Sequence, residues 1–205
     1  RLGYSLYPRD FIIALPTPAT HSGLSEYFSR TGHLRGCIQI IPDGDTHIVT
    51  DVRPPSNPES LKDAVNDFII TGAMRLLNKD YNDQFHHSML VHAHIEISNH
   101  ERLAKYIRNY GVNLKEKYLR QSLFGNRNKA YQDMKERWEN RFNISTDEER
   151  SMDNAIKKFF SKFDFDSDVL TINSNKEEEE NLFETNSRLE YKYEGTWVIV
   201  VGGTL

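Results

Sequence analysis

His87–Gly111 reads HSMLVHAHIEISNHERLAKYIRNYG, and it carries three local signals in a row. Met89-Leu90-Val91 opens a short apolar run that continues to Ile97. It is too short for a helix and is bounded by polar residues, the pattern of a buried strand. Ser98 stands three residues before Glu101, the spacing of a capping box, in which each side chain satisfies a free backbone N–H at a helix start. Leu103, Tyr106, Ile107 and Tyr110 recur on one helical face, and Gly111 follows as the left-handed residue that ends a helix. Strand, capped helix and glycine stop make half of a βα unit, from which parallel sheets covered by helices are built.

Two further strands lie far downstream. Asp168–Asn173, DVLTIN, is a short β-branched run, and Trp197–Val201, WVIVV, is another, followed at once by Gly202-Gly203-Thr204. Continuous apolar strands are expected where both sheet faces are covered. The strands at Met89, Val169 and Val198 are therefore expected in one mostly parallel sheet, with the helix Ser98–Tyr110 packed on it and right-handed connections between them. A glycine pair directly after a strand lets the backbone turn tightly and approach a ligand closely. The chain begins without Met and stops at Leu205, just past its most apolar strand. That pattern reads as a piece of a longer protein.

Upstream, Phe11–Leu15 is a strand candidate among prolines 8, 16 and 18, and Tyr27-Phe28 begins a short helical patch. Gly36–Ile41 and His47–Val52 flank Pro42-Asp43-Gly44-Asp45, an Asp-Gly hairpin signal, and Pro54-Pro55 follows as a stiff link. Asn57-Pro58 opens a long helix, with Asn as cap and Pro in the first turn. Leu61, Ala64, Val65, Phe68, Ile69, Gly72, Ala73, Leu76 and Leu77 recur at helical spacing, and Gly72 is expected to admit a close neighbour. Between the first two strands a helical insert runs over about 114–165. Its apolar positions are Leu114, Tyr118 and Leu119, then Tyr131, Met134, Trp138 and Phe142, then Met152, Ile156, Phe159, Phe160 and Phe163. Ser145 and Glu148 repeat the capping-box spacing before the last group. Lys176–Glu180, KEEEE, is a solvated acidic loop. The division expected is an extended, hairpin-containing segment at 1–57 and an α/β lobe with its insert at 58–205.

Composition narrows the function classes. The chain has 205 residues, 38% of them hydrophobic and 27% charged, with a formal net charge of −4. No apolar run approaches the ~18 residues of a membrane span, and no signal-peptide pattern is present. A single cysteine, Cys37, excludes an intramolecular disulfide and a cysteine zinc cluster and fits a cytoplasmic setting. The net charge argues against a wholly basic nucleic-acid binder but leaves room for a local basic groove.

No phosphate-loop motif and no G-x-S-x-G elbow occurs in the chain. His92 and His94 stand two apart on a strand and so share a face. A metal site there lacks a completing Cys or carboxylate at a diagnostic spacing, and strand-end histidines at a ligand edge are the better reading. Asp43 with Glu190 and Lys192 could be written as a nuclease carboxylate and E-x-K set, but the hairpin turn accounts for Asp43. The sequon Asn143-Ile144-Ser145 reads better as a helix boundary. In the insert, Lys115, Lys117, Arg120, Arg127, Lys129, Lys135, Arg137 and Arg141 are interleaved with Tyr118, Tyr131 and Trp138. This suits a nucleic-acid surface and equally suits an amphipathic helical pair, since Glu116, Asp133, Glu136 and Glu139 dilute the charge.

Four stretches in fixed order carry a family resemblance: Tyr7–Phe28 (YPRDFIIALPTPATHSGLSEYF), Pro58–Leu77 (PESLKDAVNDFIITGAMRLL), His87–Ala104 (HSMLVHAHIEISNHERLA) and Trp197–Leu205 (WVIVVGGTL). Together they resemble the Z1 domain of prokaryotic endonuclease proteins, helicase-like members of restriction-modification and phage-defence systems. The resemblance implies an ATPase core of two RecA-like lobes, with ATP and Mg2+ serving the full-length parent and DNA, or other defence proteins, as partners. The phosphate loop and acidic metal motif would lie upstream of Arg1, and an arginine motif beyond Leu205. Ser88–His94 matches the first strand motif of the second lobe, and Val201–Thr204 the start of its next strand and loop. The expected fold is thus an incomplete sheet of the RecA-like second-lobe type, in a fragment that by itself needs no cofactor. His92, His94, Gly202, Gly203 and Thr204 are the residues expected at the nucleic-acid or nucleotide cleft. A non-catalytic module that binds DNA or a partner protein is the alternative.

Overall fold

The computed structural model describes residues 23–42, 45, 58–77, 86–92, 97–124, 128–142, 149–172 and 195–202. Backbone contacts divide the chain into two units, Arg1–Ile41 and Pro42–Leu205. In the first, the helical patch expected near Tyr27 is α1 (Leu24–Phe28). The strand expected at Gly36–Ile41 is absent. A 3₁₀ turn occupies Arg35–Cys37, closed by bonds from Cys37 N to Leu34 O and from Ile38 N to Arg35 O, and Ile40 is 92% exposed. β-branched residues form strands only against a partner and a buried face, and no partner stands among the described residues. Phe11–Leu15, Asp43-Gly44, His47–Val52, Asn57, Ser145, Glu148, Lys176–Glu180, Glu190 and Lys192 lie outside the described residues.

The second unit opens with α2 (Glu59–Leu77), which buries Val65, Phe68, Ile69, Ile70, Gly72, Ala73 and Leu76. Its start is capped from upstream, where Asp45 Oδ2 accepts from Ser60 N at 2.8 Å. Those hydrogen bonds to Ser60 hold the Asp45 carboxyl below the usual carboxylate range. Gly72 does admit a close neighbour, the ring of Phe159.

β1 runs over His87–Val91, two residues earlier than the apolar run suggests, and Ile97 is already helical. α3 (Ile97–Phe124) starts one residue before the expected cap and runs through Gly111 rather than stopping there. The reason is tertiary: Gly111 is buried mid-helix, and a Cβ on it would collide with the Phe165 ring. Close approach, not a left-handed turn, explains this glycine. α4 (Lys129–Phe142) and α5 (Glu149–Lys162) follow, then β2 (Val169–Ile172) and β3 (Trp197–Gly202).

The three strands form one parallel sheet in the order β1-β3-β2, as the sequence leads one to expect. The register pairs His87 with Trp197, Met89 with Ile199 and Val91 with Val201, and Val169 with Ile199. Directly paired residues point the same way, so these side chains share one face. Every sheet residue of the hydrophobic core lies on that face, where it meets the buried residues of α2–α5. The so-called insert supplies much of this core: Trp138, Phe159, Phe160, Phe163 and Phe165 are all buried. The opposite face carries Ser88, Leu90, Leu170, Val198 and Val200. Leu90 is 70% exposed there, so burial alternates along β1, whereas β3 carries buried residues on both sides.

Candidate functional site

Parallel strands align their carboxyl ends at one edge, and α3 begins at Ile97, six residues past the end of β1 at Val91. Because Val91 pairs with Val201, the residue just past β1, His92, falls beside Gly202 at the end of β3. His92 Nδ1 lies 2.9 Å from Gly202 O. A carbonyl only accepts, so Nδ1 donates, and in the neutral ring Nε2 is left as an acceptor. His92 as a residue is exposed. Ligands in open α/β sheets bind outside the carboxyl ends of the strands.

Of the five expected cleft residues, His92 and Gly202 are thus brought into direct contact. His94, Gly203 and Thr204 lie outside the described residues. Two residues at this edge went unforeseen: Asn99 and His100, 6% and 1% exposed, in the first turn of α3. A polar pair after a strand reads from sequence as ordinary helix-start chemistry, and only burial sets it apart. Among the described residues no three His, Cys, Asp or Glu side chains are grouped to hold a metal ion. The edge presents, among the described residues, one exposed imidazole and backbone groups, a set that does not by itself fit a magnesium nucleotide.

The opposite edge is structural. His87 is 6% exposed and stacks on Phe68 at 4.2 Å between centroids. Its Nε2 donates to Phe68 O at 2.8 Å. Burial pushes its pKa below the usual value, partly offset by that hydrogen bond. Next to it, Thr196 N donates to His86 Nδ1 and His87 N to Thr196 O.

The helical layer decides between the two readings of the basic and aromatic residues. Tyr118, Tyr131 and Trp138 are 1%, 3% and 2% exposed, so they are core residues and offer no stacking platform. Arg137 is spent on α2, with Nη1 2.8 Å from Asp63 Oδ1 and Nε on Asp67. Arg141 Nε meets Asp67 Oδ2 at 2.8 Å. An open cleft of ≈ 1100 Å³ between α2, α3 and α4 mixes Lys62, Lys117 and Lys129 with Glu59, Asp133 and Glu136. The amphipathic reading is favoured here, because Tyr118, Tyr131 and Trp138 are buried and Arg137 and Arg141 are paired with α2.

Fold and edge together define a mixed α/β protein with a small parallel three-stranded sheet and several helices, with His92 and Gly202 in contact at its carboxyl edge. Residues 60–205 match the family model of the Z1 domain, and the chain belongs to that family. No curated protein and no solved structure matches the chain. No helix among the described residues is long and apolar enough to cross a membrane.

Proposed function

We propose that the chain is part of a helicase-like, ATP-dependent DNA-processing protein of the endonuclease type, serving restriction or phage defence. In this reading the sheet is that of a RecA-like second lobe, 58–205 is the lobe, and ATP and magnesium are held with the help of residues elsewhere in the longer, cytoplasmic parent. The observation that carries it is the His92–Gly202 contact at 2.9 Å on the carboxyl edge of a parallel sheet. There the strand-end backbone N–H groups, and the His92 ring when both of its nitrogens carry protons, can donate to phosphate oxygens, in DNA or in a nucleotide. His94, Gly203 and Thr204 belong to this reading on the resemblance alone.

The test is fluorescence anisotropy of labelled duplex DNA with the full chain over a range of salt. Phosphate contacts release counterions, so affinity should fall steeply as salt rises. Absent binding at low salt, or binding indifferent to salt, overturns the reading. The second reading, a non-catalytic module that holds a partner protein or DNA, is favoured by one observation. Leu24, Phe28, Ile40 and Ile41 are 77%, 69%, 92% and 57% exposed, an apolar display suited to a protein partner.

A further inference from the structure

The amino edge of the sheet holds a histidine pair that the candidate cleft does not use, and both members fasten the start of β3. Thr196 N donates to His86 Nδ1 at 2.9 Å, and Thr196 O accepts from His87 N at 2.9 Å. We propose that His86 and His87 form an acid-sensitive clasp, which holds Thr196 while both rings are neutral and releases it when they take up protons.

The two rings sense a proton in different ways. A backbone N–H only donates, so His86 Nδ1 is the unprotonated nitrogen and the ring carries its hydrogen on Nε2. Protonation turns Nδ1 into a donor, which then faces the Thr196 N–H donor to donor, and the bond is lost. His86 is exposed, so the proton reaches it without any rearrangement. His87 is 6% exposed, stacked on Phe68, tilted against Trp197 and edge-on to Phe159. Its Nε2 donates to Phe68 O at 2.8 Å and keeps that hydrogen on protonation. What the charged ring loses is hydration, since three aromatic rings enclose it. Leaving that enclosure moves the first residue of β1, and with it the N–H that holds Thr196 O.

The charges around the pair act in the same direction. From α2, Arg75 bears on the His87 ring, and its Nη1 donates to His86 O at 3.1 Å. From α5, Lys162 Nζ lies 5.2 Å from the centre of the Trp197 ring. A proton on either histidine therefore enters a site that already holds two cations, so repulsion adds to desolvation. The release is local. Further along, β1 and β3 pair from Met89–Ile199 to Val91–Val201, and β2 pairs with the other side of β3, through backbone groups that do not titrate.

The test is NMR of the full chain from about pH 8 to about pH 5, the range over which histidines titrate. Solvent exchange of the Thr196 amide, relative to its unstructured rate, is expected to speed up about fivefold on acidification, the worth of one lost hydrogen bond. The Val200 amide, in the middle of β3, is expected to keep its protection. The nitrogen shifts of the two histidine rings are expected to change over the same pH interval as the Thr196 exchange. His86→Asn with His87→Gln puts an amide oxygen in place of Nδ1 and an amide N–H in place of Nε2. Neither titrates, so the Thr196 exchange ratio in this double variant should not depend on pH. A Thr196 amide indifferent to pH in the parent, an opening that neither ring tracks, or an unchanged pH response in the double variant overturns the proposal. Loss of Val200 protection together with Thr196 also overturns it, because general acid unfolding would then account for the effect. The clasp lies at the edge opposite His92 and no sample contains DNA or nucleotide, so failure of the clasp and failure of the proposed function are distinguishable.

Discussion

The ring of Phe159 on α5 rests on the bare Cα of Gly72 on α2: a Cβ added at Gly72 would stand 2.6 Å from Phe159 Cε2 and 2.9 Å from His87 Nε2. The glycine ties α5, α2 and the first residue of β1 into one contact. It does so under a cluster in which Phe68, Phe159 and Phe163 meet within 6 Å of one another.

Gly72→Ala should therefore destabilise the protein. Helix propensity alone would favour Ala by about 1 kcal/mol. Overpacking a rigid aromatic core costs about 1–3 kcal/mol, and here both a ring and an imidazole must move. A lowered denaturant midpoint with an unchanged slope is the expected result. A variant as stable as the parent would mean that the ring yields freely.

Arg137 offers a contrast between a paired and a solvated arginine. It is 17% exposed and bridges Asp63 and Asp67, so Arg137→Ala leaves two carboxylates of α2 facing each other with only Arg141 on Asp67. A loss of about 1–3 kcal/mol is expected, since charge-assisted bonds are stronger than neutral ones but these are partly screened. Arg120 is 73% exposed beside Glu116 at 3.4 Å, and Arg120→Ala should change stability by less than about 0.5 kcal/mol. Thermal unfolding of the two variants side by side checks the ordering.

His87 predicts a pH dependence. Burial lowers its folded-state pKa below the 6.5 of the free side chain, so the unfolded chain binds its proton first as pH falls. The stability associated with neutral His87 is complete above about pH 6.5 and is lost as pH falls through the lowered folded value. His87→Gln removes the titration while keeping a donor for Phe68 O. It should be less stable than the parent at pH 7.5, and the gap should narrow by pH 5. Parallel stability curves for the two proteins would refute this.

The same residues show what a linear chain discloses. β3 was legible because WVIVV has one reading, a strand covered on both sides. α2 was legible from nine apolar positions at helical spacing. Gly111 was not, because its reason is Phe165, which lies 54 positions later and is reached only after α3–α5 have folded back. Propensity offered two meanings for that glycine, and the local one lost. Tyr118, Tyr131 and Trp138 were likewise ambiguous until packing turned them inward. At the candidate edge, strand periodicity put His92 and His94 on one strand face, whereas β1 ends at Val91 and His92 stands just past it. Its bond to Gly202 required the pairing of β1 with β3, which no local pattern encodes.

The functional assignment can be separated from a structural one at His92. Its Nδ1 donates to Gly202 O, which leaves Nε2 as the nitrogen open to a ligand. Asn is short enough to place its amide N–H near the position of Nδ1, but it has nothing to present where Nε2 stands. If His92 serves only to tie β1 to β3, His92→Ala should lower the midpoint slightly, about 1 kcal/mol for one exposed hydrogen bond, and His92→Asn should restore it. DNA affinity would then follow stability in both variants. If the outward nitrogen contacts phosphate, His92→Asn restores the melting temperature and leaves binding as weak as in His92→Ala. Melting curves and salt-dependent anisotropy on the same three proteins give the answer. Full recovery of DNA binding in His92→Asn would assign the histidine to the sheet and remove it from the cleft.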